Sequence, residues 1–136
     1  MEKKEMSVFE TGDPNDAFAK YFVGQSYLNM LSTEQVFVGN VTFEPGCRNN
    51  WHIHHADKGG GQILLVTAGR GYYQEWGKEA RELKTGDVVN IPPEVKHWHG
   101  AAADEWFQHL AIEVPGENTS NEWLEAVSDE DYSKLK

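Results

Sequence analysis

The sequence predicts an all-β domain closed into a sandwich or barrel, and three observations carry that prediction. From about residue 36 onward, short runs rich in Val, Ile, Phe, Tyr and Trp alternate with Gly, Pro, Asn and Asp at turn positions. Helical periodicity is nearly absent there, and the runs recur too closely for a βαβ fold. The 136 residues suffice for one hydrophobic core and fall short of two domains of ordinary size.

Taken in order, residues 1–35 form an N-terminal arm. It has a polar start, and the stretch 18–31 carries scattered aromatics without a dominant period, open to strand or helix. The barrel spans 36–114. Its first strand, 36–44, stops at Pro45 and Gly46; 62–67 stops near Gly69; 71–76 turns at Gly77 and Lys78. Then come 80–83, a tight turn over 84–87, 88–91, a break at Pro92 and Pro93, and strands around 97–99 and 107–113. The tail, 115–136, is irregular up to Trp123 and then fits a short helix, with Ser128 as N-cap and Asp131 at the third helical position.

Charge narrows the partners. Twelve Lys and Arg against 22 Asp and Glu give a net charge of −10, which repels phosphate backbones and anionic lipid heads. Nucleic acid and membrane are therefore excluded as expected partners, and a small-molecule substrate is favoured. The charged first residues lack the apolar run of a secretory signal, no segment reaches membrane-spanning length, and the one cysteine, Cys47, agrees with a reducing compartment. The expected location is the cytoplasm.

Three of the six histidines fall in one short stretch beside Gly59, Gly60 and Gly61. In an extended segment alternate side chains share a face, so His52 and His54 point one way, and Trp51, Ile53 and His55 the other. That is the geometry of a two-point metal clamp, although such pairs also occur as surface or hydrogen-bonded core residues. Two features favour the clamp. Gln62 opens the apolar run 62–66, where an amide needs a partner, and His97 and His99 form a second pair on one strand face after a proline turn.

Gly46, five residues, His52 and His54, a spacer, Gln62, six residues and Gly69 resemble the first cupin motif. Gly86, five residues, Pro92 and then His97 resemble the second. The resemblance implies a double-stranded β-helix, a jelly-roll barrel with a short flanking arm and a C-terminal helix, that holds one divalent metal ion on His52, His54, Gln62 and His97. Gln62 stands where the common motif has an acidic residue, and residues 55–61 make a longer spacer than usual. The glycines either fold that loop back at the barrel mouth or make a floppy hairpin. The runs 41–46, 96–102 and 109–112 are further similar to small bacterial cupins that include manganese-dependent hydroxynitrile lyases. By that resemblance His109 acts as base.

Other positions have simpler readings. His99 is open to a role as hydrogen-bond support, acid/base group or substitute ligand. His55 is expected in solvent, Arg48 and Lys96 as surface charges, Glu94 at a turn tip, and Cys47 lacks an activating partner. Four protein donors on an ion that prefers about six leave about two positions for a small oxygenated substrate. Imidazole and amide oxygen without thiolate suit Mn²⁺ or Fe²⁺, with Zn²⁺ and Ni²⁺ compatible. The expected activity is Lewis-acid and general-base chemistry, a lyase or isomerase reaction with His109 and His99 moving protons. A mononuclear iron dioxygenase and a non-catalytic small-molecule-binding barrel are the alternatives. The aromatic stretch 21–28 suits an arm exchanged between two barrels, so a homodimer is expected.

Overall fold

The structure, a computed structural model, describes residues 2–135. Ten elements carry it: β1 Ser26–Ser32, β2 Val38–Phe43, β3 His52–His55, β4 Gln62–Glu75, β5 Arg81–Lys84, β6 Val88–Ile91, β7 His97–Ala101, β8 Phe107–Glu113, β9 Ser120–Trp123 and α1 Asp129–Tyr132. Every strand pair is antiparallel. One wall runs β1-β2-β8-β4-β6, and the other β5-β4-β7-β3-β9. The result is a curled, mostly β half-barrel. No helix among the described residues is long and apolar enough to cross a membrane.

β4 belongs to both walls. The turn signals around Gly69 predict a break there, and the structure instead runs one 14-residue strand through it. The pairing explains the difference. Before Gly69, β4 lies against β8 and β6; beyond it, against β7 and β5. The register slips by one residue between Gln108 and His109, and Gly69 takes φ +76°. A bulge of this kind sharpens twist and lets one strand turn a corner without ending. Only glycine fits, because a Cβ there would collide with the Trp106 carbonyl.

Two apolar clusters face opposite sides of the second wall. Phe43, Leu64, Val66, Leu83, Val89 and Phe107 fill the barrel. Outside it, Trp98, Tyr72 and Trp51 are covered by Val127 and Tyr132 of the tail. Arg48 fastens that cover. Its guanidinium donates to the Val127 carbonyl at 2.7 Å and to Asp129 Oδ1 at 2.7 Å, and lies 4.3 Å from the Tyr132 ring centroid. Arg48 is therefore not a surface charge: only 4% of it is exposed. Burying its stem against an aromatic ring while satisfying its donors outweighs leaving it in water. Ser128 caps α1 as its sequence context suggests, accepting from the Asp131 N–H at 3.1 Å.

The arm resolves into a 3-10 turn, Asp16–Tyr21, a short Phe22–Val23 bridge to Arg48–Asn49, and then β1. Its aromatics serve tertiary contacts rather than a period. Tyr21 stacks on Trp123 with centroids 4.5 Å apart, and Phe22 packs on Phe43.

Gly69→Ala should cost about 2 kcal/mol or more in urea unfolding, since positive φ and overpacking add. Gly77→Ala, at φ +85° with nothing near its Cβ position, should cost about 1 kcal/mol from backbone strain alone.

Candidate metal centre and cavity

β3 is a short extended segment, so the burial of its side chains alternates. His52 and His54 are buried, and Ile53 and His55 are only partly so. β7 meets β3 at the single pair His97 and His52, which brings those rings to 4.2 Å between centroids. Candidate donor atoms of His52, His54 and His97 all lie within 4.8 Å of one another.

Hydrogen bonds decide which nitrogen each ring turns inward. A carbonyl only accepts, so Nδ1–H of His52 donates to Asn50 O at 2.8 Å, and Nδ1–H of His97 to Val95 O at 2.9 Å. Nδ1–H of His54 donates to Asn121 Oδ1 at 2.7 Å. Each Nε2 is thereby left with its lone pair. Burial keeps His52 well below the usual imidazole range and lowers His97 to about 4, so both rings are neutral near pH 7.

Gln62 is the fourth residue expected here from the sequence. It opens β4 opposite Glu113, and its Nε2 donates to Glu113 Oε1 at 2.6 Å. The Nε2 atoms of His54 and His97 and Oε1 of Gln62 are buried without a hydrogen-bond partner. Orphaned acceptors cost about 1–3 kcal/mol each unless something occupies them, and imidazole nitrogen and amide oxygen are donor types that a divalent cation takes.

The glycine loop delivers Gln62. Lys58–Gly59 pairs with Gly116–Glu117, and Gly60 N–H donates to Pro115 O at 3.1 Å. Gly60 and Gly61 take φ +81° and +90°, and a Cβ on Gly61 would strike the Ile91 carbonyl. The longer spacer is a folded return rather than a floppy hairpin.

His99 shares its face of β7 with His97. Its ring contacts Asn49 Nδ2 at 3.2 Å, and its Nδ1 lies 3.0 Å from Nε2 of His109 on β8. Both rings are fully buried; desolvation holds His99 well below its ordinary pKa and lowers His109 to about 3. His99 lines a cavity of about 580 Å³, together with His52, His54 and Gln62 and the apolar Leu28, Met30, Phe37, Val41 and Ala111. His109 stands behind His99, packed on Phe43 and Phe107.

Residues outside the motifs complete the site. Trp123 stacks on His52 with centroids 4.6 Å apart, and neither Asn121 nor Glu113 sits in a motif that would single it out. His55 faces outward but is not free, because its ring is held between Glu94 at 2.6 Å and Glu122 at 2.7 Å. Those contacts raise its pKa, Glu122 first. Glu94 does stand at a turn, with φ +70°. Cys47 is buried, which pushes its thiol up to about 12 and leaves it no nucleophile.

Comparison with known proteins agrees with this fold. The family described as Cupin domain matches residues 39–113. The (R)-mandelonitrile lyase of Granulicella tundricola is 45% identical over 95 residues, 70% of either chain. A crystal structure of a cupin-like protein from Thermotoga maritima superposes with a TM-score of 0.81 at 44% identity, over 94% of this chain and 96% of that one. A cupin 2 conserved barrel domain protein from Rhodopseudomonas palustris, 16% identical, shares the fold with a TM-score of 0.65 over 90% and 81%.

Tag-free protein purified without added metal should carry about one equivalent of a transition-metal ion by elemental mass spectrometry. His52→Ala and His97→Ala should lose it while keeping a native circular dichroism spectrum.

Proposed function

Because the chain belongs to the cupin domain family, we propose that it is a metal-dependent lyase acting on a small hydroxylated substrate, with cyanohydrin cleavage as the concrete case. The observation that carries this reading is the meeting of partnerless donor atoms and a buried imidazole pair around one cavity. The identity to (R)-mandelonitrile lyase supports the reaction class. When held by His52, His54, His97 and Gln62, a divalent ion, Mn²⁺ or Fe²⁺ ahead of Zn²⁺ or Ni²⁺, supplies Lewis acidity to a hydroxyl or carbonyl oxygen.

The chain's own groups do the proton work. His99 faces the cavity and His109 backs it, so the base is the pair rather than one ring. In cleavage the pair accepts the hydroxyl proton, the oxygen's electrons close the carbonyl, the bond to the nitrile carbon breaks, and cyanide leaves with that bond's electrons. Cyanide then takes up the proton as HCN, and the pair returns to neutrality. Burial disfavours an isolated imidazolium, so protonation of the pair must coincide with an anion forming beside it. The apolar wall keeps water from competing for that proton.

We also propose that two copies of the chain pair. Val38, Ile112 and Ile63, with Leu110, Leu65 and Val88, form two adjacent rows on the outer side of the first wall. Val88 is 49% exposed. None of the six is charged on a chain of net charge −10. A second copy matches such a face isologously, and the copies meet where their repulsion is least. An exchanged arm is compatible with this, since the contacts of Phe22–Val23 and β1 can form within or between copies.

Metal-loaded protein should release benzaldehyde and HCN from mandelonitrile. His99→Ala and His109→Ala should keep the metal and lose about 10²- to 10⁴-fold in kcat. Oxygen uptake by Fe²⁺-loaded protein instead of cyanide release would mark a dioxygenase, and binding across a substrate panel without turnover a binding module. Light scattering at micromolar concentration should give twice the chain mass, and Val88→Asp with Leu65→Lys should return it to one.

A further inference from the structure

An amide ligand has an ambiguity that a carboxylate lacks. Its two ends have nearly the same shape, yet only the oxygen offers lone pairs to a cation, and a half-turn about the last side-chain bond would present two N–H groups instead. Gln62 needs something to fix that choice. The group in contact with it is Glu113, directly opposite on β8, whose Oε1 receives the Gln62 Nε2–H at 2.6 Å. An ionised carboxylate cannot donate, so it accepts only the NH₂ end, and Gln62 Oε1 is left buried and partnerless. The same carboxylate places Oε2 3.9 Å from Nδ1 of His54, whose proton is already committed to Asn121. Glu113 is 40% exposed at its side chain and lines the cavity, so its charge stays solvated while Gln62, 6% exposed, does not reach water freely.

We infer that Glu113 is a positioning residue for metal binding: it locks the Gln62 amide oxygen-inward and, through that hydrogen bond, polarises the amide oxygen toward the ion. The inference rests on the reading of Gln62 as a donor. It gives the substitution of an acidic ligand by glutamine a physical partner, because the carboxylate is displaced by one strand rather than lost.

Mn²⁺ binding measured by calorimetry and by loss of the free-ion electron paramagnetic resonance signal tests this without turnover. Glu113→Ala should weaken Mn²⁺ binding by about 10- to 100-fold. Glu113→Gln, of the same shape, should fall between it and the wild type, since the new amide can pair with either end of Gln62. In a Gln62→Ala background, Glu113→Ala should change affinity by no more than about twofold, because its route to the ion is gone. An equal loss in both backgrounds would overturn the positioning role. So would Glu113→Ala and Glu113→Gln both binding like wild type while Gln62→Ala binds weakly. Wild-type affinity in Gln62→Ala would overturn the donor reading and this inference with it, whereas no Mn²⁺ binding by the wild type would instead sink the metal reading of the whole site.

Discussion

Three ring protons organise this molecule. Nδ1–H of His52, His54 and His97 each donate to a fixed oxygen, and only because all three point outward can three lone pairs point in. Two of the acceptors are backbone carbonyls two residues earlier on the same chain segment, Asn50 and Val95, so an extended backbone alone nearly secures them. The third depends on Asn121 from a strand 67 residues away. Burying polar rings is unfavourable without such partners. The tail brings that third oxygen to β3.

The features legible in the sequence are those with short-range causes. Strand alternation separates His52 and His54 from His55, the proline turn selects His97, and Ser128 announces its cap. Every misjudged or unforeseen feature involves a distant partner. Gly69 is compatible with a turn or a bulge, and only pairing with β8 chooses the bulge. Arg48 resembles a surface charge until Val127 and Tyr132 arrive to bury it. Glu113 lies 51 residues beyond the amide it holds, and Asn121 lies in a polar tail that has no periodicity of its own. The arm lacks a dominant period for the same reason: its aromatics answer to Trp123 and Phe43 rather than to each other.

The cavity divides its chemistry between the walls. The second wall lines it with His52, His54 and His99, while the first wall, apart from Gln62 and Glu113, lines it with aliphatic side chains of β1, β2 and β8. Such a division orients a ligand that has one polar end and one apolar end, because turning it round would strand its polar groups against hydrocarbon. His99 lines this cavity, with its partner His109 wholly withdrawn from solvent.

The tail strand also separates what is recognised from what is complete. The family match ends at residue 113, yet the oxygen that orients His54 and the ring stacked on His52 belong to β9. A graft of residues 39–113 into another scaffold would transplant all three clustered histidines and leave behind the side chain that sets the tautomer of one and the indole that shields another. In this chain the smallest transferable unit of the site extends at least to Trp123.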